Sequence, residues 1–284
     1  MMKLITTLVS IALLSASVDA KKPAFAPKRY THDVLSIRGG AGPLDPDMIA
    51  KTVTGVMAIQ GAADYLAPNK APEVLYGIEG AGATEIFINE FAGANTLKWV
   101  IMAYGVLFGG LSEKRAIGYG LLPTVLFGIR GLLSGSTEAV GCDMTAQWID
   151  SALTVFTSHA ALTDADYSTT LVKAWCVYSG LASGLCRLAP ELALDKWGFP
   201  EKGPLTVFFI KSMSQFALAA TVLTGLLISG VDSHKAVGYS LVPLLASVLQ
   251  FVLSGDLKAQ IGDNVVKAYP WIAILAAAVF TLAI

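Results

Sequence analysis

The fold turns on the series Leu66-Ala67-Pro68, Tyr76-Gly77, Arg115-Ala116-Ile117-Gly118-Tyr119, Pro123 and Leu133-Ser134-Gly135, because the chain then runs through it again. Leu188-Ala189-Pro190, Trp197-Gly198, Lys235-Ala236-Val237-Gly238-Tyr239, Pro243 and Leu253-Ser254-Gly255 follow in the same order, at offsets between 120 and 122 residues. Self-similarity at a near-constant period marks a duplicated unit. Each copy consists of long apolar runs. The first predicts helices over Met48–Leu66, Thr84–Leu111, Lys114–Leu133 and Thr145–Leu162. The second predicts helices over Ser168–Leu188, Pro204–Gly230, His234–Leu253 and Val265–Ile284. Their near-continuous apolar content approaches the ~20 residues that a bilayer span needs.

The expected fold class is therefore all-α, a polytopic membrane helical bundle. It comprises two tandem four-helix repeats, residues 46–164 and 165–284, with about eight transmembrane helices. An even number of helices brings both copies into the membrane from the same side. The repeats should then be parallel, related by a pseudo-twofold axis along the membrane normal. Pro68 and Pro190 stop the first helices, since proline cannot continue a helix. Gly135 and Gly255 sit where C-terminal glycine caps belong. Tyr76 and Trp197, each just before a glycine, suit the headgroup level. Small residues four apart, Ala58/Ala62 with Gly180/Gly184 and Gly105/Gly109 with Gly225/Ser229, offer faces for close helix packing.

Composition agrees with a membrane protein. Hydrophobic residues make up 54% of the chain and charged residues only 14%, against about 25% charged in an ordinary soluble domain. Mean hydropathy is +0.61. A net charge of −1 gives nucleic acid no basic footprint, so membrane lipids and other membrane subunits are the expected partners. Cys142, Cys176 and Cys186 make no disulfide framework; the last two are ten residues apart on one helix and point about 80° apart.

Residues 1–20 read as a signal peptide, with Lys3, an apolar run over Leu4–Leu14, and Val18-Asp19-Ala20 as a small-residue cleavage site. A short first membrane anchor is the alternative. Residues 21–45 then form a basic, Gly-rich transit-like segment and linker. Ala24-Phe25-Ala26-Pro27, followed by Lys28, Arg29 and Arg38, resembles the bipartite plastid-targeting signal of algae with secondary plastids. That resemblance implies a plastid membrane; an ordinary endomembrane route is the other option.

One copy also resembles the four-helix DoxX-like membrane families. The resemblance rests on Leu66-Ala67-Pro68, then Glu73-Val74-Leu75-Tyr76-Gly77, a long apolar helix, the basic turn at Lys114-Arg115 and a third helix. It extends over residues 48–284 as two tandem units and implies the fold rather than a chemistry. Those families include a subunit of a thiosulfate:quinone oxidoreductase, but they carry no active-site signature that could be transferred here.

A charge at mid-bilayer costs about 2.5–3.5 kcal/mol on insertion scales, so interior ionisable residues need a partner, water or a job. Glu85, Asn89 and Glu90 cluster at the start of the second helix, with Lys98 two turns on. The second copy offers Lys211 and Gln215 in the corresponding stretch, and Glu90 aligns with Lys211, so these two are a candidate ion pair across the axis. Arg130 aligns with Gln250. Arg130 with Glu85 or Glu90 would suit a cavity for an anionic or amphipathic ligand; buried structural pairs, or residues snorkelling to the interface, are the alternative. Gln147 and Asp150 are expected at the wet entrance of the fourth helix, and His159 as a structural residue. No His/Cys/carboxylate set has zinc spacing, and no phosphate loop or nucleophile elbow is present, so neither catalytic nor metal-ligating residues are singled out. The cofactor is unknown: a lone His, Asn or Gln would suffice for chlorophyll, and nothing indicates it specifically.

These features are compatible with three functions. The short loops and few reactive side chains favour a non-enzymatic structural or assembly subunit of a plastid membrane complex. The parallel repeats and interior charges favour a carrier for a small anionic or lipid-like solute. A quinone-linked redox subunit rests on the family resemblance alone. The targeting expectation has a direct check. A fluorescent protein fused after residues 1–44 should enter plastids, and Phe25→Ala should divert it; an unchanged destination would leave the endomembrane route.

Overall fold

A computed structural model of the chain describes residues 45–283, which are helical with short connections and contain no strand. The signal peptide, the Ala24-Phe25-Ala26-Pro27 motif and the Gly-rich lead lie outside the described residues. The helices are α1 (Pro46–Leu66), α2 (Ala83–Leu107), α3 (Glu113–Ser134), α4 (Ser136–Ala139), α5 (Met144–Leu162) and α6 (Ser168–Leu188). They continue with α7 (Pro190–Lys196), α8 (Pro204–Ile228), α9 (Ser233–Ser240), α10 (Val242–Leu253), α11 (Asp256–Ile261) and α12 (Ala268–Leu282). A π-helical turn, Pro72–Tyr76, follows α1, and a 3-10 turn, Gly262–Lys267, precedes α12.

Starts and stops follow from local chemistry. The carboxylates of Asp45, Asp143 and Asp232 accept hydrogen bonds from the first free N–H groups of α1, α5 and α9, and the Ser112 hydroxyl does so for α3. Gly135 (φ 72°) and Gly255 (φ 80°) follow α3 and α10 in the left-handed conformation that glycine adopts without a steric penalty. The helix expected over His234–Leu253 is broken at Leu241, just ahead of Pro243. Pro243 has no N–H to bond back to Tyr239, and here the helix yields. At the corresponding Pro123, α3 runs through.

Packing forms a closed circuit. The helix α1 lies on α2, α2 on α3, α3 on α5, α5 on α6, and α6 on α8; α8 packs on α9 and α10, these on α12, and α12 returns to α1. Across the middle, α2 and α8 pack on each other. They run in the same direction. The third residue of α8, Thr206, bonds the third of α2, Glu85, while Thr224 near the C-terminal end of α8 lies 3.3 Å from the sulfur of Met102 near that of α2.

Four helical stretches are long and apolar enough to cross a membrane: Glu113–Ser134, Pro204–Ile228, Ser233–Leu253 and Asp256–Leu282. The other long helices, α1, α2, α5 and α6, fall short of the eight expected spans. They carry the polar side chains of the interior, among them Asp64, Glu85, Glu90, Lys98 and Asp150, which lower their hydropathy.

The close contacts lie only in part where expected: a Cβ on Gly105 would stand 3.0 Å from Leu111. A Cβ on Gly184 or Gly225 would meet nothing within 4 Å, and one on Gly180 only Thr221 at 3.8 Å. The tight crossings are at Gly93, where a Cβ would stand 2.5 Å from the Tyr65 backbone nitrogen, and at Gly118 and Gly238. There it would stand 2.6 Å from Leu162 and 2.5 Å from the Ala283 nitrogen, respectively. Small residues at spacing four are common in apolar helices, and only the crossing geometry selects which ones matter. Gly93→Ala should therefore lower thermal stability in detergent by about 1–3 kcal/mol. Gly184→Ala, on an open helix surface, should be neutral or stabilise by about 0.5–1 kcal/mol.

Candidate functional site

Along α2, residues Phe87, Phe91, Asn95 and Lys98 recur at helical spacing and face a cavity walled by α3, α5, α6 and α8. It encloses about 900 Å³ of open space including its mouth. Much of the wall is aromatic. Phe127 of α3 stacks on Phe91 at 4.8 Å between ring centroids, and Phe87 lies 5.1 Å from Phe127 and 6.1 Å from Phe199. Trp175 of α6 and Trp197 beyond α7 complete it. Trp197 therefore faces the interior, and its counterpart Tyr76 is likewise turned inward.

Lys98 is only 2% exposed. Its Nζ donates to the Asn95 Oδ1 at 2.6 Å and stands 4.8 Å from the centre of the Trp175 ring, a cation–π contact. The Asp150 carboxyl supplies the nearby opposite charge, and the Tyr178 hydroxyl is directed at it. Gln147, which also lines the space, approaches Ser151 at 3.3 Å. Both Gln147 and Asp150 thus line the cavity. An ammonium has three N–H donors, and Asn95 takes one. The remaining capacity of Lys98 is directed into an aromatic-walled space. Burial pushes the thiol of Cys142, in the loop before α5, up to about 11, so it stays protonated at neutral pH. The cysteines are free.

Lys98, Gln147 and Asp150 line this cavity, but none of the candidate ligand-lining residues Glu85, Asn89, Glu90, Arg130, Lys211, Gln215 and Gln250 does. Glu85 is a structural cap: buried, it accepts from the Gly82 N–H at 3.0 Å and from the Thr206 hydroxyl. Asn89 donates to Asp64 Oδ1 at 3.2 Å. Asp64, 1% exposed, also accepts from the Tyr76 hydroxyl at 3.0 Å, and that oxygen accepts from Gln60 at 2.8 Å. This satisfied network locks the turn after α1 onto α2. Glu90 pairs with Arg130, whose guanidinium lies 5.4 Å from the centre of the Tyr65 ring. The expected Glu90–Lys211 pair is not formed: Lys211 faces Asp256 at 3.7 Å. Gln250 accepts from Arg187 at 2.5 Å, and Gln215, buried in α8, reaches only Ser212 at 3.4 Å.

The sequence did carry a signal for this cavity. Lys98 continues the stripe of Phe87, Phe91 and Asn95 at i, i+4, i+8 and i+11, not the face of Glu90. Asp64, Gln60, Tyr178 and Arg187 had no such local signal, because each acquires its role from a partner distant in the chain. Among the described residues, no three His, Cys, Asp or Glu side chains converge as a metal site would need. No protein-family model, no curated protein and no solved structure matches the chain.

The observed pairing has a thermodynamic signature. Glu90→Gln and Arg130→Gln should each destabilise, and the double variant should lose less than the sum, with a coupling of about 0.5–3 kcal/mol. Glu90→Gln combined with Lys211→Met should be additive. Both follow from thermal unfolding of single and double variants in detergent.

Proposed function

We propose that the chain is an integral membrane protein whose interior cavity binds a small amphipathic ligand, with an anionic or strongly hydrogen-bond-accepting head at Lys98 and an apolar or ring-bearing body among Phe87, Phe91, Phe127 and Trp175. The observation that carries this reading is Lys98 itself. A cation 2% exposed beside an aromatic wall is costly, and it is kept here with Asp150 as its nearby opposite charge and only Asn95 in hydrogen-bonding reach. A carrier or binding protein uses such a group. An assembly subunit, the leading expectation from loop length and composition, has no use for the cavity.

In this reading the architecture is the duplicated one, eight spans in two parallel four-helix units about an axis between α2 and α8. Several correspondences support it. Gly118 meets the end of α5, and Gly238, 120 residues on, meets the end of α12. Glu85 and Thr206, 121 residues apart, meet each other. Lys114 contacts Asp164 ahead of α6 at 2.5 Å, while His234 lies 3.3 Å from Asp47 at the start of α1. The polar helices α1, α2 and α5 span by turning Asp64, Glu85, Glu90, Lys98 and Asp150 toward one another and their neighbours. A plastid membrane is the proposed location, on the Ala24-Phe25-Ala26-Pro27 resemblance. Membership of the DoxX-like families is part of the same proposal.

Native mass spectrometry of the detergent-purified full chain tests the ligand. The wild-type protein should carry a small molecule that Lys98→Met loses while remaining folded. Identical spectra for the two would return the protein to the assembly-subunit class. For topology, single cysteines at Lys70 and Lys196 should label from one side of the membrane, and cysteines at Arg115 and Lys235 from the other. Opposite labelling of Lys70 and Lys196 would mean inverted units.

A further inference from the structure

A second pocket opens where the end of α6, the first half of α8, the end of α10 and the start of α11 meet. Arg187, Lys211, Gln250 and Asp256 provide its polar lining, Leu188 and Phe251 part of its apolar lining, and it holds about 560 Å³ including its mouth. It shares no residue with the aromatic cavity. In the proposed pairing of the two halves, Lys211 corresponds to Glu90 and Gln250 to Arg130. In the first half that place is self-neutralised, since one guanidinium meets one carboxylate. In the second half the carboxylate has become an ammonium, and a second cation enters from α6.

The lining therefore holds two cations, Arg187 and Lys211, against the single carboxylate of Asp256. That carboxylate stands 3.7 Å from Lys211, beyond a normal hydrogen bond. Arg187 is held by its neighbours: its Nη2 donates to Gln250 at 2.5 Å and to the Ser247 carbonyl at 3.4 Å, and its guanidinium lies 4.5 Å from the centre of the Phe251 ring. Its other terminal nitrogen, Nη1, is shut off from solvent and has no partner. A pre-oriented guanidinium with N–H groups to spare, beside an ammonium, is the donor set that recognises a tetrahedral oxyanion.

We propose that this pocket binds an oxyanion of the phosphate or sulfate type. Arg187 would supply the guanidinium donor, Lys211 would act as the second donor, and Asp256 would limit its affinity. At the same end of the bundle, Leu188 and Leu253 terminate α6 and α10 at 87% and 83% exposed. An acyl chain lying along these leucines would make the headgroup of an anionic lipid the natural source. The inference stands on this pocket and on the membrane setting of the helices, not on the ligand of Lys98.

The test is thermal unfolding of the detergent-solubilised full chain, titrated with phosphatidylglycerol, phosphatidylcholine or inorganic phosphate. Phosphatidylglycerol should raise the unfolding temperature beyond any effect of phosphatidylcholine. Its half-saturating concentration should rise about tenfold in Lys211→Met, the loss of one charge-assisted hydrogen bond. Lys70→Gln, an exposed cation elsewhere, should leave it unchanged. Asp256→Asn should lower it, because the competing carboxylate is gone; a purely structural Lys211–Asp256 pair gives the opposite result, a less stable protein with no gain for the lipid. Inorganic phosphate reproducing the whole shift would assign the pocket to a free anion. Equal shifts from the two lipids with none from phosphate, or a shift unaltered in Lys211→Met, would overturn the proposal.

Discussion

The parallel contact between α2 and α8 is the constraint on which the rest of the molecule depends. Both helices are buried along most of their length, and α2 carries Glu85, Asn89, Asn95 and Lys98, all at most 6% exposed, or in the case of Asn95 and Lys98 close to fully enclosed. A helix with so many polar groups is stable in an apolar surrounding only if every face meets a partner. The surrounding elements supply these: Asp64 from α1, Arg130 from α3, Trp175 from α6 and Thr206 from α8. The apolar helices are then free to face outward. The segment containing α12 is the extreme case, with only 17% of its most apolar window buried.

Polar groups in this interior fall into two energetic kinds. The Gln60–Tyr76–Asp64–Asn89 network, and Glu85 with Thr206, join their polar groups to one another within the protein. Such networks hold elements in register, and none of their members lines the cavity. Lys98 and Arg187 differ. Each is fixed in orientation by a short bond and an aromatic face, yet each keeps donors in excess of its partners. Burial costs both kinds alike, so the unspent donors are what distinguish a binding group from a structural one.

The helices were legible in the sequence because their signals are local. Apolar runs, Asp and Ser ahead of helix starts, and Gly135 and Gly255 behind helix ends act within a few residues, and each of the eight expected helices overlaps an observed one, while the short helices α4, α7 and α11 had not been expected. The failures were of other kinds. The break at Leu241 depends on whether the neighbours of α9 and α10 hold a proline-containing helix straight, as those of α3 do around Pro123. The choice of Gly93, Gly118 and Gly238 over Gly180, Gly184 and Gly225 depends on where helices cross. Neither quantity is written in a single segment.

By itself the sequence determined the all-helical class, the apolar character that suits a membrane, the approximate helix ends and the fact that α2 carries charges in need of partners. Tertiary structure alone decided the pairings: Glu90 with Arg130 rather than Lys211, Lys211 with Asp256, and Lys98 with Asn95 and Trp175 at the edge of a cavity. The physical reason is one of range. Helix formation and capping act over three or four residues along the chain. A side-chain pair is settled instead by the rotation of each helix about its own axis, where one residue turns a side chain by about 100°. That rotation is fixed only when all the neighbouring helices are packed in place.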